Sequence, residues 1–286
     1  MAIYQKIWEK KCDEYSIYYG NGIYDESTFA RQLHYDIDVT ITFFKRCTGN
    51  IRVDGKCYPI QDGDVIITNP SEMHCCTFED KSPLERISFF VSKSLLKNIT
   101  FEMEELFDCF YDRENGTGNL IPANIAQKDG IENLTKEILT LSHSDEKRQH
   151  LLIICKFIEL LMRLNDATSQ EINLPSNTIV ENEIIVQVIQ YINDHFTETI
   201  SCEEIAKEFY ISRSRLEHLF KDCVGSSLWD YIIFKRLMMV NNLIQQGKSI
   251  KDASVSAGFN NYSNFFRLYK KHMNMTPLEY KKTNPE

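Results

Sequence analysis

Residue types able to do chemistry gather in two places along this chain. The first is the histidine pair His34 and His74, with Asp36 and Asp38 close to His34. Two imidazoles and a carboxylate on one ion, with a coordination position left open, would make a transition-metal centre. The same histidines serve equally as ordinary polar groups of a β-wall, or as contacts in a ligand pocket together with Thr42 and Arg46. The second place is a pair of segments, RSRLEHLFK (213–221) and YSNFFRLYKK (262–271). At helical spacing Leu216, Leu219 and Phe220 share one face of the first segment, opposite Ser214, Glu217, His218 and Lys221. In the second, Phe265, Leu268 and Tyr269 face inward, and Ser263, Phe266, Arg267 and Lys270 face outward.

Such outward faces suit the DNA major groove, where side chains near a helix's start read bases and cations near its ends hold phosphates. Arg267 has the fork geometry for guanine O6 and N7, Asn264 can pair with adenine, Phe266 can meet a thymine methyl, and Glu217 can accept from cytosine N4. His218 is read as a groove or phosphate contact, since no second metal ligand stands at suitable spacing nearby. Lys221, Lys270 and Lys271 are assigned to phosphates, and Arg213 and Tyr262, at the two helix starts, complete the set. Plainer readings compete: Phe266 packing on a neighbouring helix, Glu217 as a solvated carboxylate.

The elements that must position these residues follow from pattern. VTITFF (39–44), IRVDGKCYPI (51–60), DVIITN (64–69) and RISFFV (86–91) are short, β-branched and aromatic, with turn chemistry at CTGN, VDGK, QDGD and NPSE. They predict a small barrel or sandwich within residues 1–100. From 129 to 164 apolar residues recur at three and four, giving two amphipathic helices broken at SHSD. The polar stretch that follows is placed as an interdomain linker, 165–182. Beyond it the chain nearly repeats itself. Leu216, Phe220, Lys221 and Tyr231 match Phe265, Tyr269, Lys270 and Tyr280 at an offset of 49, while Ala206 matches Ser254 at 48. Each copy predicts a short helix, a tight turn and a second helix, with Ser212 and Asn261 as N-caps and Gly258 supplying turn backbone. The segment between the copies predicts a connecting helix that ends at Gly247.

The chain has 286 residues, enough for two cores, and a formal net charge of -9. The charge is uneven: residues 183–286 carry 13 Lys and Arg against 12 Asp and Glu, and residues 1–182 carry 19 against 29. One end is therefore suited to a polyanion and the other to something else. Nine cysteines without a C-x-x-C pair fit reduced thiols. The start of the chain lacks a signal-peptide pattern and no apolar run is long enough to span a bilayer, so the expected location is cytoplasmic, without membrane contact.

ISRSRLEHLFK followed by GFNNYSNFFRLYKKHMNMTPLEYK resembles the DNA-binding domain of the AraC family of bacterial transcription regulators. The resemblance covers residues 183–283 and implies seven helices, with two helix-turn-helix units joined by a long helix and entering successive major-groove segments about 34 Å apart. Ser254 departs from the alanine usual there; its hydroxyl can bond back to its own helix. HYDIDVTITFFKRCTGNIRVDGKCYPIQDGDVIITNPSEMH (34–74) looks like the cupin-like sensor barrel of the family's larger members. The expected fold class is thus two-domain, β + α: a cupin-like β-barrel with following dimerisation helices (1–164), the linker (165–182), and an all-α double helix-turn-helix domain (183–286).

The resemblance implies a homodimeric, non-enzymatic regulator of promoter or operator DNA, with RNA polymerase as a further partner and no cofactor, catalytic residue or metal. A small effector in the barrel mouth would touch His34, Thr42, Arg46 and His74. The alternatives are a metal-dependent cupin enzyme with an accessory helical domain, a helical protein-interaction module, and a regulator that needs no effector.

Overall fold

The computed structural model describes residues 3–25, 34, 36–92, 95, 104–171, 182–273 and 275–283. The chain divides into two compact units, Met1–Ile179 and Val180–Glu286.

In the first unit β1 (Gln5–Lys11), β2 (Tyr15–Ile23), β3 (Val39–Arg46), β6 (Val65–Thr68), β8 (Pro83–Val91) and β9 (Leu120–Ile121) form a six-stranded sheet in the order β1-β2-β8-β3-β6-β9. A second sheet, β5-β4-β7, holds β4 (Thr48–Val53), β5 (Lys56–Gln61) and β7 (His74–Phe78). Among the described residues these are two separate sheets and not the closed barrel expected. The physical reason lies at the end of β3, where the pairing with β8 slips between Phe44 and Arg46. A bulge bends a strand. One residue later the chain is already pairing in the other sheet.

The two faces of the larger sheet do different work because strand side chains alternate. Val39, Ile41, Phe43, Ile87, Phe89 and Val91 point to a core shared with the helices that follow. These are α1 (Asp108–Tyr111), α2 (Ala123–Lys128), α3 (Ile131–Ser142) and α4 (Lys147–Glu171). Phe157 of α4 sits 5.0 Å from the Tyr15 ring and 5.3 Å, edge on, from Phe89. The opposite face, with Phe44, Ile66 and Leu84, packs on Ile51, Val53, Tyr58 and Ile60 of the smaller sheet. Helices and sheets thus stack in three layers. The linker boundary also moves: α4 continues through Glu171, and residues 172–181 lie outside the described residues. Ala167 is buried, and Asn165 is fastened at both ends of its amide, accepting from the Cys109 N–H at 2.8 Å and donating to the Glu105 carbonyl at 2.9 Å.

The second unit has seven helices among its described residues: α5 (Glu183–His195), α6 (Cys202–Glu208), α7 (Arg213–Val224), α8 (Leu228–Gln245), α9 (Ile250–Ser256), α10 (Tyr262–Met273) and α11 (Pro277–Thr283). Side-chain oxygens at N-caps set most of their starts: Asn182, Ser201, Ser212, Ser227 and Ser249 cap α5 to α9, and Asn261 Oδ1 accepts the Asn264 N–H at 2.9 Å. The duplication is geometric as well as sequential. α6 maps onto α9 at an offset of 48, and α7 onto α10 at 49. The turns begin alike, with the N–H of Ile211 on the Ala206 carbonyl and that of Phe259 on the Ser254 carbonyl, both at 3.0 Å. Each turn passes through one left-handed residue, Tyr210 (φ 54°) in the first and Gly258 (φ 85°) in the second. The extra residue of the second turn therefore falls after its left-handed position. Ser254 is buried, and its hydroxyl donates to the Lys251 carbonyl at 2.7 Å, so it bonds within its own helix.

The two left-handed positions predict opposite substitution effects. A Cβ on Gly258 would lie 2.4 Å from the Thr197 carbonyl oxygen, so Gly258→Ala is expected to destabilise the helical unit by about 2 kcal/mol. Tyr210 is 96 % exposed and sheds backbone strain as glycine, so Tyr210→Gly is expected to be neutral or stabilising by up to about 1 kcal/mol. Urea midpoints of the helical unit's transition measure both.

Candidate nucleic-acid interface

On α7 the residues Leu216 and Phe220 are buried, Leu219 is half-buried, and Arg213, Ser214, His218 and Lys221 are exposed, with Glu217 half-buried at the edge. On α10 Phe265 and Tyr269 are buried, and Tyr262, Ser263, Asn264, Arg267, Lys270 and Lys271 are exposed. Phe266 is 38 % exposed, so it stands outward and is not sunk against the connecting helix. Every nucleic-acid contact residue predicted from the sequence therefore lies on the outward side of one of two matching helices. Sequence reasoning passed over Arg215, which is exposed beside Ser214 and occupies the place Asn264 has in the second copy. The offset of 49 was the signal that could have found it.

The two outward faces differ electrostatically. On α7 Arg213 donates to Glu217 at 2.8 Å and also pairs with Glu203, and His218 Nδ1 lies 2.8 Å from Asp222, whereas Arg215 and Lys221 have no acid within 4.0 Å among the described residues. On α10 Arg267 donates to the Asn264 side chain at 2.9 Å, and among the described residues no acid lies within 4.0 Å of the charged groups of Arg267, Lys270 or Lys271. A polyanion meets open charge on α10 and at Arg215 and Lys221 of α7, whereas at Arg213 it must first displace carboxylates.

α8 holds the copies together. Phe220 of α7 meets Tyr231 of α8 at 5.5 Å, and the Tyr269 hydroxyl of α10 donates to Asn241 of α8 at 2.5 Å, both in the interior. Arg236, 7 % exposed, donates from Nε to the Phe196 carbonyl at 2.6 Å, from Nη2 to the Glu198 carbonyl at 2.7 Å and from Nη1 to the Gly258 carbonyl at 2.9 Å. Burial alone lowers its pKa below the usual guanidinium value. A guanidinium remains charged even so. It thereby joins the loop before the first copy to the turn of the second.

In the β unit His34, Thr42 and His74 border one small cavity of about 60 Å³ between the two sheets, with Asp36, Arg86 and Ser88. Arg46 does not border it; Arg86 supplies the cation there. His74 is placed by its loop. Glu72, wholly buried, is held by Arg113 through two contacts of 2.7 and 2.8 Å and by the Gly116 N–H at 2.7 Å, and its own carbonyl faces His74 Nδ1 at 3.1 Å. Across the cavity His74 Nε2 stands 3.4 Å from Asp36. Burial works to lower the His74 pKa, but the bond to Asp36 and its charge outweigh it and carry it above the usual value. Burial works to raise the Asp36 pKa, and His74, His34 and Thr40 together carry it below the usual value. Burial pushes the Cys76 thiol, also at this cavity, up to about 12.

Comparison with known proteins bears on the helical unit first. A family model described as a helix-turn-helix domain matches residues 205–283. The probable transcription factor PqrA of Proteus vulgaris is 33 % identical over 85 residues, covering 29 % of this chain and 70 % of that protein. The chain belongs to the AraC family of transcription regulators. Among other AraC-type relatives, an uncharacterised HTH-type transcriptional regulator of Bacillus subtilis, YdeC, is 21 % identical over 256 residues, 88 % of this chain and 86 % of that one. The lactose operon transcription activator of Staphylococcus xylosus is 27 % identical over 154 residues, and the match spans 54 % of its length. The AraC-type unit makes this chain a DNA-binding transcription regulator. No helix among the described residues is long and apolar enough to cross a membrane.

Arg236 provides the test of how this unit is braced. Arg236→Leu leaves three buried-side carbonyls without their donor and is expected to cost about 3 kcal/mol or more in the helical unit's urea transition. Arg236→Lys, which cannot reach three carbonyls in one plane, is expected to recover less than half of that.

Proposed function

We propose that this regulator reads DNA in two blocks, one for each copy of the helix-turn-helix, and that the β unit conveys a small-molecule signal to it. The observation that carries the reading is the congruence of the copies: matched helices, matched turns and matched outward positions, braced by one buried connecting helix. Arg267, Asn264 and Phe266 of α10 and His218, Glu217 and Ser214 of α7 are the base-reading candidates. Arg213, Lys221, Tyr262, Ser263, Lys270 and Lys271 position the protein on the backbone.

Selection of bound sequences from a random duplex pool tests this directly. Two conserved blocks are expected, about ten base pairs apart, with Arg267→Ala relaxing one and His218→Ala the other. A motif with a single block, or one that both substitutions relax alike, would overturn the reading. The open charge on α10 adds a second expectation: Lys270→Ala and Lys271→Ala each reduce the slope of log affinity against log salt by about 1, whereas Arg213→Ala changes it less because its charge is already paired.

The effector is assigned to the cavity between the sheets, with His34, Thr42 and His74 as contacts and Arg86 in the role first given to Arg46. It acts only through a difference in affinity between two states of the protein. Homodimerisation is assigned to α4. Leu151, Cys155, Ile158 and Met162 recur at four, three and four along its outer side, and Leu151 and Met162 are 61 % and 54 % exposed. This is the spacing of a helix–helix seam. The double variant Leu151→Asp/Met162→Asp is expected to sediment as a monomer where the parent sediments as a dimer; a parent that is itself monomeric at tens of micromolar contradicts the assignment.

A further inference from the structure

We propose that His34, Asp36 and His74 bind one divalent first-row transition-metal ion. Their ligand atoms all lie within 4.8 Å of one another. The separation of His74 Nε2 from Asp36 Oδ2, 3.4 Å, matches the edge of a tetrahedron with metal–ligand bonds of about 2.1 Å. The wider spread, up to 4.8 Å, belongs to His34, whose side chain is exposed.

The surroundings are those of ligands held ready. The Glu72 carbonyl can only accept, so Nδ1 of neutral His74 carries the proton and Nε2 presents its lone pair to the cavity. The Thr40 hydroxyl donates to the Asp36 carboxylate at 2.7 Å and fixes its direction. His34 and His74 exchange backbone hydrogen bonds of 3.0 and 2.9 Å as a directly opposed antiparallel pair. Their side chains consequently leave the ladder on the same side, with ring centroids 4.4 Å apart. An ion pair between His74 and Asp36 would account for two of the three groups. A shared cation uses all three. Two imidazoles with one carboxylate favour zinc, cobalt, nickel or iron over magnesium or calcium, which prefer all-oxygen sites. The remaining position would open onto a cavity of about 60 Å³ bordered by Thr42, Ser88 and Arg86, which suits water or one small anionic group.

The inference deepens the sensor reading and depends on it only for what the ion does, since binding itself is scored without DNA or effector. Full-length protein stripped with a chelator would be titrated with Co²⁺ and Zn²⁺, following cobalt absorption and competition with a chromophoric chelator. One equivalent per chain is expected, with affinity at least about tenfold weaker in both His34→Ala and Asp36→Asn. His34→Ala removes an exposed side chain, so its metal-free melting temperature should match the parent's. Because the Cys76 thiol borders the same cavity and Cys75 adjoins it, Cys75→Ser/Cys76→Ser should bind undiminished and without any sulfur-to-cobalt charge-transfer band. No saturable binding, affinity in His34→Ala or Asp36→Asn equal to the parent's, or a sulfur band in the parent or the Cys75→Ser/Cys76→Ser variant would each overturn the site. None of those results would alter the two-block selection, and failure of the selection would leave the metal titration standing.

Discussion

The pairing of the two helix-turn-helix copies depends on one buried cation. Arg236 has no acid among its hydrogen-bond partners; it is held by three backbone carbonyls, two from the loop after α5 and one from the turn of the second copy. The strength of that arrangement comes from what it prevents. Three partly buried carbonyls are better satisfied by a donor than left without one, and a planar fork with five N–H groups supplies them from a single side chain. The same loop approaches Gly258 so closely that no Cβ fits, which makes the glycine and the arginine two halves of one contact. Around it Phe220 against Tyr231, and Tyr269 on Asn241, fix α7 and α10 to the same helix. Separation and orientation of α7 and α10 are thus properties of the interior.

The copies differ where they meet solvent and correspond where they pack inward. Inward residues correspond in kind, Leu216 with Phe265 and Phe220 with Tyr269. Outward residues do not: Glu217 stands opposite Phe266, His218 opposite Arg267, and Asp222 opposite Lys271. α7 neutralises much of its own charge, and α10 leaves it open. Free charge sets long-range attraction and salt sensitivity. In the proposed reading, α10 engages DNA first and more tightly, and α7 adds discrimination once its carboxylates are displaced. The remainder of the chain is acidic, so cations are presented on a small part of an otherwise negative protein.

Local physics was legible in the sequence and long-range pairing was not. The caps at Ser212 and Asn261, the break between α3 and α4, and the inward faces of α7 and α10 follow from residue type and spacing within a turn or two, and the structure has them. Left-handed backbone could be read at Gly258 but not at Tyr210, where no residue preference announces it. α4 was cut short at 164 because its last turn is polar, although Asn165 is anchored by contacts some sixty residues away in sequence. Two sheets in place of a closed barrel, and Arg86 in place of Arg46 at the cavity, both turn on strand register, and the bulge at the end of β3 has no signature in composition. The role of Arg236 was hidden for a similar reason: a charge in a helical segment reads as solvated, and its partners are carbonyls that any residue could provide.

In the proposed reading, an internal brace holds α7 and α10 at a fixed separation on one face of DNA. Hydroxyl-radical footprinting of the full-length protein on its selected site measures that separation. Two protected windows on one face, centred about one helical turn apart, are predicted, with the second window lost or blurred in Arg236→Lys while the first persists. A single window, or two that keep sharp spacing without the Arg236 fork, would contradict it.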